Sequence, residues 1–333
     1  MLRAYRSALV EHMHAVPGVE PSPWDRAFWD EMFSRPRSAR IIYGLSVRFR
    51  LAIRNRIASR SLRGVGLEIG AQNVPTKVNA RTAQTEYVDR LTAEQTSAQF
   101  GIPIDTLVKV THLMDGGRLD SFPSASRDYL IANHVLEHFD DPVGAVIEWL
   151  RILSPAGRLL ITLPNYRNNQ FDFRRRPPTR RHFERDYLDA DHRAASERSH
   201  YCELIQSIYG FPEDDPVIPA TADVWIERGD RSHYHVYDEF AFRDVLALAA
   251  EKSGTGLRIV DHFLIDSGFE YLAVIEKCES GPLKWPDPVR SRLAALALLG
   301  SMAAADMPKF YGRRATDAIK GHSAHPESSH SPH

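Results

Sequence analysis

The chain holds only two cysteines, Cys202 and Cys278. They are too few and too far apart for a disulfide framework or a cysteine zinc site, and a reducing, cytoplasmic setting is expected. Charge of one sign is also lacking: 42 Lys and Arg against 43 Asp and Glu leave a formal net charge of −1. No broad basic face is therefore offered to nucleic acid, and no nucleic-acid partner is expected. No apolar run approaches the roughly 20 residues of a membrane-spanning helix, and the opening MLRAYRSALVEHMHAV does not read as a secretory signal. The dinucleotide fingerprint G-x-G-x-x-G is missing after the first apolar strand, where Gln72-Asn73-Val74-Pro75 follow Gly70, which counts against a nicotinamide-dependent oxidoreductase.

With 333 residues and 43% hydrophobic content, the chain can bury a sizeable core and carry large additions to it. Its pattern separates three regions. Residues 1–63 read as a helical N-terminal extension. In it, SRPRSARIIYGLSVRFRLAIRNRIASRSLR has many arginines and no acid, with Ile41, Ile42, Leu45, Phe49, Ile53 and Ile57 at helical spacing. The favoured expectation is a cover helix with solvated arginines; the sharper one is an amphipathic helix in peripheral contact with anionic lipid. Residues 64–278 alternate strands and helices. VGLEIG (65–70), TEYVD (85–89), LVKVTHL (107–113), RDYLIAN (127–133) and GRLLITLP (157–164) read as strands of a parallel sheet. A helix over 238–254, with Asp238 as cap and Gly254 as stop, precedes a hairpin of LRIVDHFLID and FEYLAVIEK around a Ser-Gly turn. Within this region, residues 165–237 interrupt the rhythm. Residues 279–333 read as one more helix and a disordered tail rich in His, Ser and Pro.

Candidate binding residues cluster at the carboxyl ends of these strands, where open α/β sheets take their ligands. Glu68, Gly70 and Ala71 end the first strand; the glycine permits a sharp turn and close approach of a ligand. Alone, they are equally a plain strand-to-loop turn. Asp89 ends the second strand about twenty residues on, a place where a carboxylate can accept both hydroxyls of a ribose. Met114-Asp115-Gly116 follow the third strand; Asp115 is either an acceptor for an adenine amino group or part of a simple Asp-Gly turn. Asn133 and His134 leave the fourth strand, and Glu137 and His138 follow them.

Taken in order, LEIGA, YVD, MDGG, ANHVLEHFDDP and LRILSPAGRLLITLPN resemble the successive motifs of class I S-adenosylmethionine (SAM) dependent methyltransferases, closest to bacterial methyltransferase-domain proteins whose fourth motif reads NHxLEH. FDFRRRPPTRRH with the later HYHVYDEF is similar to a subgroup associated with glycan pathways. The resemblance implies an α/β, Rossmann-like seven-stranded methyltransferase sheet, mostly parallel with a terminal antiparallel hairpin, and SAM as cofactor. It places Glu68, Gly70 and Ala71 along the methionine and ribose side of SAM, Asp89 on the ribose hydroxyls, Met114 and Asp115 at the adenine, and Asn133 and His134 under the methionine moiety or facing the acceptor. The chain departs from the family in keeping one glycine in the first motif where many relatives have three, and in having Thr111 where an acid often ends strand three.

On this topology the 165–237 insertion is a lid for the acceptor. Arg174, Arg175, Arg176, Arg180, Arg181 and Arg185 crowd its first half and suit an anionic group, or else form a solvated charge run. The expected reaction is methyl transfer to a hydroxyl of a small-molecule or glycan-type acceptor. Histidine is the natural base at neutral pH, and the catalytic candidates are His134, His182, His233 and His235. His182 and Asp186 would share a helix face; His233 and His235 would share a strand face and could hold a metal with Asp191 or His200, although no metal is assigned. The alternative is a catalytically inactive methyltransferase fold acting as a binding or scaffold protein.

Overall fold

The computed structural model describes residues 37–169, 171–265 and 269–279, with 281 and 283. Residues 1–36, the Ser267-Gly268 turn, and the expected C-terminal helix and tail lie outside the described residues.

The chain enters through helix α1 (Arg37–Ser61). Ile53, Ile57 and Ala58 are buried, as is Leu62 just beyond it. The inward stripe does not include Phe49, which is exposed, but does include Arg50, which is 7% exposed. The arginines of this helix are therefore not all solvated. Asn55 Oδ1 accepts the Lys77 amide at 2.8 Å, and Ser59 Oγ donates to the Lys77 carbonyl at 2.9 Å. The helix thereby pins the loop that follows the first strand.

Seven strands form one sheet: β1 (Gly64–Ile69), β2 (Ala83–Asp89), β3 (His112–Leu113), β4 (Arg127–Asn133), β5 (Leu153–Pro164), β6 (Gly256–Ile265) and β7 (Glu270–Cys278), in the order β3-β2-β1-β4-β5-β7-β6. The pairs from β3 to β5 are parallel, while β7 runs antiparallel to both β5 and β6. This is the mostly parallel sheet with a terminal hairpin that the sequence pattern implies. The third strand is the exception: only His112–Leu113 pair of the seven residues expected. Thr111 supplies the reason, because its hydroxyl and amide both engage Tyr87, with Tyr87 N donating to Thr111 Oγ1 at 2.7 Å. Side-chain bonding replaces the regular ladder there, and Val108 N bonds to Gln72 O instead.

Helices α2 (Ala93–Phe100), α3 (Pro142–Ile152), α4 (Arg180–Leu188), α5 (Ala190–Tyr209), α6 (Val217–Glu227) and α7 (Glu239–Ser253) complete the α-helices among the described residues. Asp238 caps α7 through the Ala241 amide, and Gly254 ends it in the left-handed conformation. The insertion, which shows little hydrophobic periodicity, contains three helices; Thr179 and Asp189 start two of them by accepting the His182 and His192 amides. Its α5 and α6 share a small core of their own around Tyr201, Leu204, Ile218 and Trp225. Phe183 and Tyr237 join the main core and stack at 6.0 Å.

Trp149 on α3 links the core to the ligand edge. It is fully buried, meets Phe139 edge-on at 5.9 Å, and donates from Nε1 to the Gly116 carbonyl at 2.7 Å. Trp149→Ala removes a large buried side chain and strands that carbonyl, so it is expected to cost about 3–5 kcal/mol. Urea unfolding should show a lower midpoint; a loss below about 1 kcal/mol would contradict this account.

Candidate active site

A cavity of about 380 Å³ opens beyond the carboxyl ends of β1, β2 and β4, in the size range of small-ligand sites. Glu68, Gly70, Ala71, Asp89, Asp115, Asn133 and His134 all line it. Met114 packs against the core beside it, with its amide bonded to the Asp89 carbonyl. His233 lines the cavity as well, whereas His182 and His235 do not.

Local chemistry sets each position. Gly70 adopts φ +65°, the left-handed turn that favours glycine. Gly116 passes so close to β1 that a Cβ there would lie 2.4 Å from Ile69. Asp89 accepts the Leu91 amide at 3.0 Å, and no side chain among the described residues hydrogen bonds it. Burial raises its pKa against the opposing Leu91 and Arg90 amides. Asp115 accepts the Gly117 amide at 2.8 Å through Oδ1 and Arg231 at 2.9 Å through Oδ2. Arg231 comes from the insertion, which therefore bonds directly to this strand-end acid.

Glu68 is only 1% exposed, and its carboxylate faces inward. It accepts the Thr76 amide and hydroxyl and the Asn133 amide group, at 2.7–3.1 Å. Asn133 also donates to Thr76 Oγ1 and accepts from Thr162 Oγ1. This closed network ties the Ala71–Thr76 loop to β4 and β5. Burial raises the Glu68 pKa, and its hydrogen bonds work the other way.

His134 sits in a left-handed turn (φ +52°) between two buried carboxylates. Its Nε2 is 2.9 Å from Glu270 and its Nδ1 is 3.4 Å from Glu137. Burial opposes its charge, but the two carboxylates prevail and raise its pKa. Glu270, fully buried on β7, is held in turn by Arg54 of α1 through Nε at 3.0 Å and through Nη2, with Arg50 at 3.8 Å. Burial would raise the Glu270 pKa, yet Arg54 and His134 bring it down to about 2.

Across the cavity, His233 Nδ1 lies 2.7 Å from Asp172 Oδ2. Asp172 is fully buried and also accepts from Asn169 and Arg175. Burial opposes protonation of His233, but Asp172 outweighs it and raises the pKa. His138 meets the His233 ring edge-on at 4.9 Å, with Nδ1 on the Arg231 carbonyl. Burial and the neighbouring His233 push His138 down to about 4. His233 and His235 do not share a strand face: the amides of Tyr234 and His235 both point at the Glu137 carbonyl, and strand alternation is lost. His235 instead joins His182 at Asp186, inside the insertion.

The arginines of the insertion are also placed differently from the expectation. Arg175 is buried on Asp172 and the carbonyls of His233 and Tyr234, Arg174 bonds Ser207 O, and Arg180 pairs with Glu251. The arginines that line the cavity are Arg54, Arg90 and Arg231. Arg90 directly follows Asp89 at the end of β2, whereas Arg54, Arg231, Asp172 and Glu270 carry no local motif and reach the site from distant segments. Glu137 and His138 stood within the NHxLEH pattern and could have been singled out there.

Residues 64–161 match the family model described as methyltransferase domain. No curated protein matches the chain. Among solved structures, the chain is similar to a SAM-dependent methyltransferase of Thermotoga maritima (13% identity over 72% of this chain and 95% of that one, TM-score 0.37). It is also similar to the N-methyltransferase NodS of Bradyrhizobium japonicum (13%, 70% and 97%, TM-score 0.38). A third is a SAM-dependent methyltransferase of Aquifex aeolicus (11%, 64% and 81%, TM-score 0.34). A methyltransferase domain takes SAM, and the donor set fits it: a half-buried carboxylate that no side chain among the described residues hydrogen bonds, at the end of β2, beside a backbone turn that a Cβ-free residue keeps open.

The Arg54–Glu270 pair generates a stability prediction. Arg54→Met leaves Glu270 buried with a weakened partner set and is expected to cost about 3–5 kcal/mol by urea unfolding at neutral pH. Glu270 has a folded pKa of about 2 against an ordinary 4.5. Its contribution is therefore complete above about 4.5 and lost as pH falls toward 2. Glu270→Gln should flatten that acid limb of stability; an unchanged limb would refute the assignment.

Proposed function

We propose that the chain transfers the methyl group of SAM to a hydroxyl of a small-molecule or glycan-type acceptor, with His233 as general base. The observation that carries this reading is the Asp172–His233 pair, which faces the same cavity as Gly70, Asp89 and Asp115. Bound SAM supplies an electrophilic methyl group on a sulfonium. Asp89 receives the ribose hydroxyls, Asp115 and Met114 hold the adenine side, and the Gly70–Ala71 turn carries the methionine side. Glu68 and Asn133 keep that turn in place through Thr76 rather than through free lone pairs.

The three cavity histidines differ in what they can do with a proton. His134 has a carboxylate at each ring nitrogen and is best suited to stay charged and positioned. His138, pushed down to about 4, is a weak base. His233 has Nδ1 committed to Asp172, which leaves Nε2 to take a hydroxyl proton, the arrangement that orients a catalytic imidazole. A hydroxyl, unlike a neutral amine, must lose its proton as the methyl group arrives, which favours an oxygen acceptor where such a base is present. Arg90 and Arg231 at the cavity can meet an anionic group on that acceptor.

Calorimetric titration with SAM is the first test. Saturable binding that weakens at least tenfold in Asp89→Ala supports the cofactor assignment; no binding by the folded chain would favour the inactive-scaffold alternative. With an acceptor from a hydroxyl-compound screen, Asp172→Asn and His233→Ala should each lower kcat by about 10²-fold or more. Activity should rise with pH through the His233 pKa, which lies above the ordinary 6.5, and Asp172→Asn should shift that limb to lower pH. A pH profile untouched by Asp172→Asn would exclude His233 as the base.

A further inference from the structure

The insertion contains a second histidine cluster that methyl transfer leaves unused. His182 on α4, His200 on α5 and His235 beyond α6 turn their rings toward one another, with centroids 5.2, 5.4 and 5.0 Å apart. One ring nitrogen from each lies within 4.8 Å of the other two. Asp186, one helical turn after His182 and 1% exposed, places Oδ2 3.1 Å from both His182 Nε2 and His235 Nε2.

Hydrogen bonding leaves this cluster incomplete. His200 is 6% exposed and its Nδ1 has no hydrogen-bond partner. His182 Nε2 is likewise buried, and although close to Asp186 it makes no aligned hydrogen bond. A buried polar atom without a partner costs about 1–3 kcal/mol, and here two such nitrogens belong to one cluster of three imidazoles. The surrounding bonds orient the set: His235 Nδ1 is 3.0 Å from the Phe139 carbonyl, which aims Nε2 inward, and His192 Nδ1 is 3.0 Å from Asp186 Oδ1. Outer hydrogen bonds of this kind fix the ring and the carboxylate of metal ligands.

We propose that His182, His200 and His235 form a structural zinc site that fastens α4, α5 and the 235 segment of the insertion together, with Asp186 beside two of the three imidazoles. Three imidazoles suit tetrahedral Zn²⁺, the fourth position being taken by water or, on side-chain rotation, by Asp186, whereas magnesium and calcium take oxygen ligands. The 4.8 Å limit closes by side-chain rotation to the roughly 3–4 Å that separates ligands of one zinc ion. None of the three histidines lines the cavity, so the ion holds the lid's framework and takes no part in proton removal. The site is independent of which acceptor the cavity takes.

The test strips the full chain with chelator and reloads it with cobalt(II) or zinc. The wild type should show the intense visible bands of tetrahedral cobalt, hold about one tightly bound zinc per chain by elemental analysis, and gain thermal stability on loading. His182→Ala and His200→Ala should each lose the tetrahedral bands and the tight zinc. His322, His325, His330 and His333 near the end of the chain can collect ions too, but six-coordinate cobalt gives only weak bands, so the spectrum separates it from a tetrahedral site. Only weak bands from the folded wild type would overturn the proposal, and so would tetrahedral bands that survive in both variants. Should both variants fail to fold, the wild-type spectrum alone decides.

Discussion

The Glu270 carboxylate stands at the joint on which the catalytic edge rests. Removing a carboxylate from water costs several kcal/mol even after relaxation, and β7 places this one at its first residue, opposite Pro164 of β5, with no exposure. Arg54 and His134 make that burial tolerable, and each constrains a different part of the molecule. Through Arg54, helix α1 is locked to the sheet rather than laid over it. Through His134, the turn after β4 is held in a left-handed conformation that a histidine adopts only at some cost. Glu137 completes the run of alternating charge on the other side of that ring.

A second constraint acts from the insertion. Arg231 bonds Asp115, the His138 ring bonds the Arg231 carbonyl, and Asp172 positions His233. The insertion is thus part of the cavity wall, with its own small core behind it. Charge is balanced locally on both sides: carboxylates hold His134 and His233, while His138 between them stays neutral because burial and a neighbouring imidazole oppose its protonation. Within one cavity wall, carboxylates thus raise the proton affinity of His134 and His233, while burial and a neighbouring imidazole lower that of His138.

Much of this was legible in the residues. β4 is found over the residues its β-branched and aromatic run implies, and α7 begins and ends at its Asp238 and Gly254 signals. Gly70, Asp89, Asp115 and Asn133 converge on one cavity because parallel strands deliver their carboxyl ends to one edge. Less legible were β3, where Thr111 diverts the ladder, and the insertion, whose helices are begun by polar caps and close on a small aromatic core instead of a periodic apolar stripe. The arginine-rich stretch Arg174–Arg185 reads as either a ligand-facing or a solvated charge run, yet Arg175 is a buried internal strut.

The sequence by itself determined the sheet, its ligand edge and the residues at the strand ends, because these follow from local periodicity and from turns that only certain residues permit. Tertiary structure alone decided the roles of the histidines. The separation of His233 from His235, the pairing of His233 with Asp172 across the insertion, and the reach of Arg54 to Glu270 join residues far apart in the chain. The proton affinity of each imidazole depends on which carboxylate faces it, and no local pattern encodes that.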